Sequence, residues 1–239
     1  MASTTESKNI LRHSRTAGGL YLLIIMSSLL SLVFLGGKFT VMGDSAASVT
    51  KMLQFGTLVR INAVYEVFMF SAVIVLATLL FQITREVNVI VARSALFLRV
   101  AEAILGYIGI VLTLGVLVAA NGKTGSESTA SLAVMLYDLR DLVYKIIMVC
   151  ISLGTVLFLA LFYTARLIPV LLSLWGITGF TLMIVASVFQ ILSAPGGVTI
   201  NGIAAALAIS FELAIGVWLI VRNVRLPEVR IPATKENNR

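Results

Sequence analysis

Residues 199–221 read TINGIAAALAISFELAIGVWLIV, an apolar run interrupted near its middle by one acid, Glu212. A membrane span takes roughly 20 mostly apolar residues, so the run is long enough to cross a bilayer. A carboxylate is costly at that depth unless a partner or a proton relieves it. Ala204, Ala208 and Gly216 share its helical face at steps of four. A stripe of small residues carrying one acid reads as a face that packs closely against another helix rather than against lipid.

The rest of the chain repeats the pattern. Hydrophobic residues make up 59% of the 239 positions and charged residues 12%, with a mean hydropathy of +1.03, far from the composition of soluble domains. Six spans are expected, at about 17–41, 58–83, 94–120, 142–165, 168–192 and 199–221. The expected fold is all-α, an integral membrane bundle of six transmembrane helices. The expected division is an N-terminal segment over 1–16, a transmembrane domain over 17–225 and a tail over 226–239.

Basic residues set the expected orientation. With the N-terminus in the cytoplasm, the inner side holds Lys8, Arg12, Arg15, Arg85, Arg93, Arg99, Arg166, Arg222, Arg225, Arg230, Lys235 and Arg239. The outer side holds Lys38, Lys51, Arg60, Lys123, Arg140 and Lys145, a split of twelve to six among 18. That excess predicts N-in and C-in, in the cell inner (plasma) membrane. The net charge of +7 is read as topology and contact with anionic lipid, not as a nucleic-acid surface, since no soluble face gathers it. The first span is read as a retained anchor, its apolar stretch being long for a signal peptide.

Between the spans, 1–14 and the proline-bearing tail are expected to be loose, 43–55 and 121–130 are read as loops, and 131–144 as an amphipathic extension of the fourth helix. Ala194-Pro195-Gly196-Gly197 is expected to form a tight turn. Gly36-Gly37 reads as a packing or bending position, and no strong Pro/Gly break stands in mid-span.

The polar residues inside the spans are the candidates for function. Asn62 and Glu66 share one face of the second span. In the third span Arg99 and Glu102, three apart, are expected to form a structural ion pair. Asp141 and Lys145 stand in the favourable i, i+4 order at the start of the fourth. Glu66, Asp138, Asp141, Arg60 and Lys145 are expected to line a polar pocket between spans two, four and six that opens outwards, with Glu212 as its floor. The acids would hold or protonate a ligand and the two bases would balance them. The competing reading is that these charges only pair and fix helix register.

Several chemistries lack their parts. One histidine (His13) and one cysteine (Cys150) leave no usual zinc constellation, and no P-loop or GxSxG element is present. No cofactor and no metal site are expected; Glu66, Glu102 and Glu212 differ too much in estimated depth to favour a carboxylate metal centre.

The chain resembles the bacterial six-span membrane proteins of domain-of-unknown-function family four-three-eight-six. The resemblance runs over about 16–225. It rests on Ala17-Gly18-Gly19-Leu20-Tyr21, on Arg60 with Glu66, and on Arg85, Val87 and Asn88 leading into Leu98-Arg99-Val100-Ala101-Glu102-Ala103. It continues through Tyr137-Asp138, through Tyr163, Arg166, Leu167 and Pro169, through Gly176 and Gly179, and ends on Glu212 with Trp218. Glu86 and Val170 depart from it, where proline and a second basic residue often stand. The resemblance implies a six-helix bacterial membrane protein and no particular activity.

Three functions follow as expectations. The first is binding or translocation of a small molecule, ion or lipid. The second is a structural or accessory subunit whose small-residue stripes, Ala204-Ala208-Glu212-Gly216 and Gly115-Ala119, face a membrane-protein partner or a second copy. The third is a lipid-modifying enzyme in which at least two of Glu66, Asp138, Asp141 and Glu212 meet. Membrane lipids are partners in all three.

Overall fold

The computed structural model describes residues 4–120 and 127–224; of the loop expected over 121–130, residues 121–126 lie outside them, as does the tail from 225 onward, whereas 127–130 are helical, the start of a helix that runs to Thr164. Helix α1 (Thr4–Leu30) continues through a π-helical segment, Ser31–Gly36, into the short α2 (Gly37–Phe39). There follow α3 (Ser45–Gln54), α4 (Gly56–Thr84), α5 (Val89–Ala120), α6 (Glu127–Thr164), α7 (Val170–Ile191) and α8 (Gly197–Val221). Among the described residues, six helical stretches, α1 with α2 counted as one, are long and apolar enough to cross a membrane. Their outer surface is apolar as well: Phe68, Ile90, Val111 and Leu171 all stand exposed. Such a surface suits hydrocarbon and would be a liability in water, so the chain is a polytopic membrane protein.

The helix ends follow local chemistry. The Asn88 side chain accepts hydrogen bonds from the backbone N–H groups of Ile90 and Val91, both at 3.1 Å, and so caps α5. Pro169 precedes α7, where its missing N–H is no loss. Gly196, with φ of +86°, makes the turn into α8.

The long helices form a closed ring. Each packs on the next in sequence, α1 on α4, α4 on α5, and so on to α8, which closes on α1. The last contact depends on two glycines. A Cβ at Gly18 would lie 2.7 Å from the Gly216 carbonyl oxygen, and one at Gly216 would lie 2.7 Å from the Leu22 side chain. The N-terminal part of α1 and the segment just after α8 meet on one side, where the Val224 N–H donates to the buried Ser14 hydroxyl at 3.1 Å. This side is called the terminal end, and the opposite side, with α3 and the α7–α8 turn, the loop end.

Three local expectations are corrected. Residues 4–14 are not loose but form the first turns of α1; the chain has no Gly or Pro before Gly18 to stop them. Residues 45–54 of the expected loop are α3, capped by the Asp44 carboxylate accepting from the Ala47 N–H at 2.8 Å. Its face of Ser48, Val49 and Met52 is buried, and Val49 and Met52 pack with Phe39, Val59, Val116 and Tyr137. The first span is also not regular throughout. Across Ser31–Gly36 it takes the π pattern, which closes with the Gly37 N–H donating to the Leu32 carbonyl five residues back. A Cβ at position 37 would collide with that same oxygen, which is why glycine stands there.

Candidate functional site

Two polar levels lie inside the ring. The one nearer the loop end begins at the π-helical segment. Ser31 Oγ donates to Asn62 Oδ1 at 2.7 Å, and Asn62 Nδ2 donates to Glu66 Oε1 at 2.8 Å. Arg140 of α6 attracts the Glu66 carboxylate. Its Nε donates to Thr113 Oγ1 at 2.9 Å, and that hydroxyl donates to the Gly109 carbonyl at 2.8 Å. The Arg140 guanidinium also lies 5.9 Å from the Tyr137 ring centroid. One connected network thus ties together α1, α4, α5 and α6.

The second level lies deeper. Arg99 Nη1 and Glu102 Oε2 are 2.9 Å apart, with 5% and 4% of their side chains exposed. Those same two atoms are buried without a hydrogen bond, so the contact is ionic and its angle is poor. Glu212 of α8 faces them at longer range, with no close ion pair to either. Arg99 attracts both carboxylates, the carboxylates repel each other, and the buried Tyr21 of α1 lies in the field of all three. Because α5 and α8 are not neighbours in the ring, these groups meet in its interior. At about 1.5 Å per residue, Arg99 and Glu102 lie roughly 15 and 20 Å from the start of α5, and Glu212 about 14 Å from the end of α8. That is the middle of the bundle. Arg99 is held there by Gly154 of α6, whose added Cβ would be 3.0 Å from Arg99 Cγ.

The expected site residues are therefore divided. Glu212, expected as the floor of a pocket with Glu66, Asp138, Asp141, Arg60 and Lys145, has Arg99 and Glu102 of α5 as the charges in its field. Arg99, counted among the inner-side charges, lies inside the bundle. Asp141 and Lys145 are paired at 2.9 Å, half exposed and about one-quarter exposed. They line a groove of about 440 Å³ between α6 and the α7–α8 turn, together with Gln190 and Gly196 to Thr199. Asp138 is exposed and accepts from Ser45 Oγ of α3 at 2.5 Å, and Arg60 is exposed. Glu66, Asp138 and Asp141 are thus occupied by Asn62, Ser45 and Lys145, Glu212 feels Arg99 without a close ion pair to it, and no two of the four are paired in the manner a lipid-modifying centre would need. Among the described residues no three His, Cys, Asp or Glu side chains gather as metal ligands.

The stripe of α8 is used within the chain. Ala204, Ala208 and Gly216 are buried, with Ala208 against Gly179 of α7 and Gly216 against α1. Gly115 faces Leu136 of α6.

Comparison with known families agrees with this architecture: the family described as "Domain of unknown function (DUF4386)" matches residues 16–222. The chain belongs to the DUF4386 family. No curated protein and no solved structure matches it. In this DUF4386 chain, both polar levels fall within the matched region. Sequence reasoning missed Arg140 and Tyr21 as members of them. Arg140 was counted only as an outer charge, although its spacing of three from Tyr137 placed it on the same face.

Proposed function

We propose that the protein binds or translocates a small cationic species within the membrane, a proton being the smallest occupant that satisfies the site. The observation that carries this reading is the addition of Glu212, from α8, to the Arg99–Glu102 pair of α5. Two ionised carboxylates facing one guanidinium leave an excess negative charge in the interior of the ring. A structural pair needs one acid; the second calls for another positive partner or a proton. Poor angles leave Arg99 Nη1 and Glu102 Oε2 free to change partners. Both termini face the cytoplasm and the membrane is the plasma membrane, a reading supported by the excess of basic residues at the terminal end.

The test is proton flux into vesicles of phosphatidylcholine and phosphatidylglycerol that carry the purified protein and a trapped pH dye. After an imposed pH step, wild type is expected to equilibrate faster than empty vesicles, and Glu212→Gln to fall to the empty rate. Equal rates for wild type, Glu212→Gln and empty vesicles would leave the cluster as helix-fixing ion pairing.

A further inference from the structure

On the α4–α5 side of the ring, a half-buried aromatic side chain lies between the two polar levels. Phe70 stands one turn from Glu66 along α4, and Gly106 stands one turn from Glu102 along α5. The two helices are antiparallel neighbours, so both steps lead into the gap between the levels, each about 6 Å long. There they meet. The Phe70 ring lies flat in the notch left by Gly106, so close that a Cβ at 106 would collide with three of its ring carbons. Tyr107 packs edge-on against the same ring, with centroids 6.2 Å apart, and its hydroxyl is 3.0 Å from Ser71 Oγ.

We infer that Glu66 is a second cation or proton station and that Phe70, seated on Gly106, is the barrier between it and the Glu102–Glu212 station. This rests on the reading proposed above and adds a route to it. Three features support it. Glu66 is joined to the first turn of the π-helical segment through Asn62 and Ser31, and such segments are frequent at functional sites. An apolar ring between two charged groups opposes passage of an ion without water, and a rotation of that one ring would let water in. The notch holds the ring by shape alone, with no hydrogen bond to break. The charged and titratable groups facing the deeper station are Arg99 and Glu102 from α5, Tyr21 from α1, Glu212 from α8 and Cys150 from α6, on which Glu102 acts. Those facing the shallower one are Glu66 of α4 and Arg140 and Tyr144 of α6.

The experiment uses the same vesicles, full-length protein and pH step. Phe70→Ala is expected to speed equilibration roughly tenfold, the effect of lowering a barrier by about 1.4 kcal/mol. Phe70→Leu, which keeps an apolar filling and so tolerates folding better, is expected to give a smaller gain in the same direction. Combining either with Glu66→Gln or Glu212→Gln is expected to remove the gain. Phe70 variants no faster than a wild type that still depends on Glu212 would overturn the barrier and leave the proposed function standing. A gain that survives Glu66→Gln removes Glu66 from the route. A gain that survives both glutamine changes is a non-specific leak and overturns the inference. Wild-type flux indifferent to Glu212 removes the proposed function itself.

Discussion

The two polar levels of the ring are built from the same kinds of residue but are satisfied differently. Around Glu66 the contacts are hydrogen bonds of 2.7 to 2.9 Å running from Ser31 through Asn62, and from Arg140 to Thr113. Around Glu212 the contacts are charges facing charges, with one guanidinium for two carboxylates and two buried atoms that make no hydrogen bond. A satisfied network fixes helices in place, while a partly satisfied one in a dry interior is expensive and is kept where it is used. The difference teaches that depth alone does not mark a site. What marks it is the mismatch between the charges present and the partners supplied.

The largest effect is expected at Arg99. Arg99→Met removes the cation that both Glu102 and Glu212 face, leaving two buried acids without a base. Breaking a buried pair from one side costs about 3–5 kcal/mol, read as a loss of unfolding free energy in micelles. Adding Glu102→Gln and Glu212→Gln to Arg99→Met is expected to recover most of it, because uncharged groups need no counter-ion. Failure to recover would mean that Arg99 stabilises by packing against Gly154, and the contrast between the levels would narrow.

How much of this was legible beforehand depended on how far apart in the chain the partners are. The six spans showed in the apolar runs, and the Arg99–Glu102 contact needs only three residues of one helix. Glu212 showed as an anomaly, but its partners did not. Nothing local in α8 says that α5 lies across the ring from it, and estimated depth could not bring Arg99 and Glu102 to Glu212. Helix α3 was missed because it is short, ten residues mixed in Ser, Thr, Lys and apolar side chains, although they carry a clear one-sided apolar face. Asp44, three residues before the Ala47 N–H it accepts from, was the available signal. The Gly36-Gly37 pair pointed to a bend without revealing its form, since a π-helical turn arises from packing and backbone registry rather than composition.

Next in size is the seat of Phe70. Gly106→Val forces the ring out of its notch, and overpacking of this kind costs about 1–3 kcal/mol. A fall in that range, measured by the same unfolding titration, is expected with Gly106→Val. A comparable but separable loss is expected from Asn62→Ala, which removes the donor to Glu66 and the acceptor from Ser31 together. Leaving buried polar groups unpartnered costs about 1–3 kcal/mol. The two losses are expected to add, because the sites lie about two turns apart along α4. Strong coupling would mean that the barrier and the network of the shallower level form one unit.

The smallest effect is expected at the groove of the loop end. Asp141 and Lys145 make a close ion pair, yet 54% and 26% of their side chains are exposed. Exposed pairs contribute about 0–1 kcal/mol, since water already solvates both partners and ordering two side chains costs entropy. Lys145→Ala is therefore expected to shift the unfolding free energy by under about 0.5 kcal/mol, with added salt weakening even that. The comparison makes this small number informative. Lys145 and Arg99 each sit within 3 Å of a carboxylate on their own helix, so distance predicts equal losses and exposure predicts very unequal ones. A loss at Lys145 approaching that at Arg99 would mean that the loop end is as dry as the centre of the ring. The excess charge at Glu212 would then no longer set the deeper level apart.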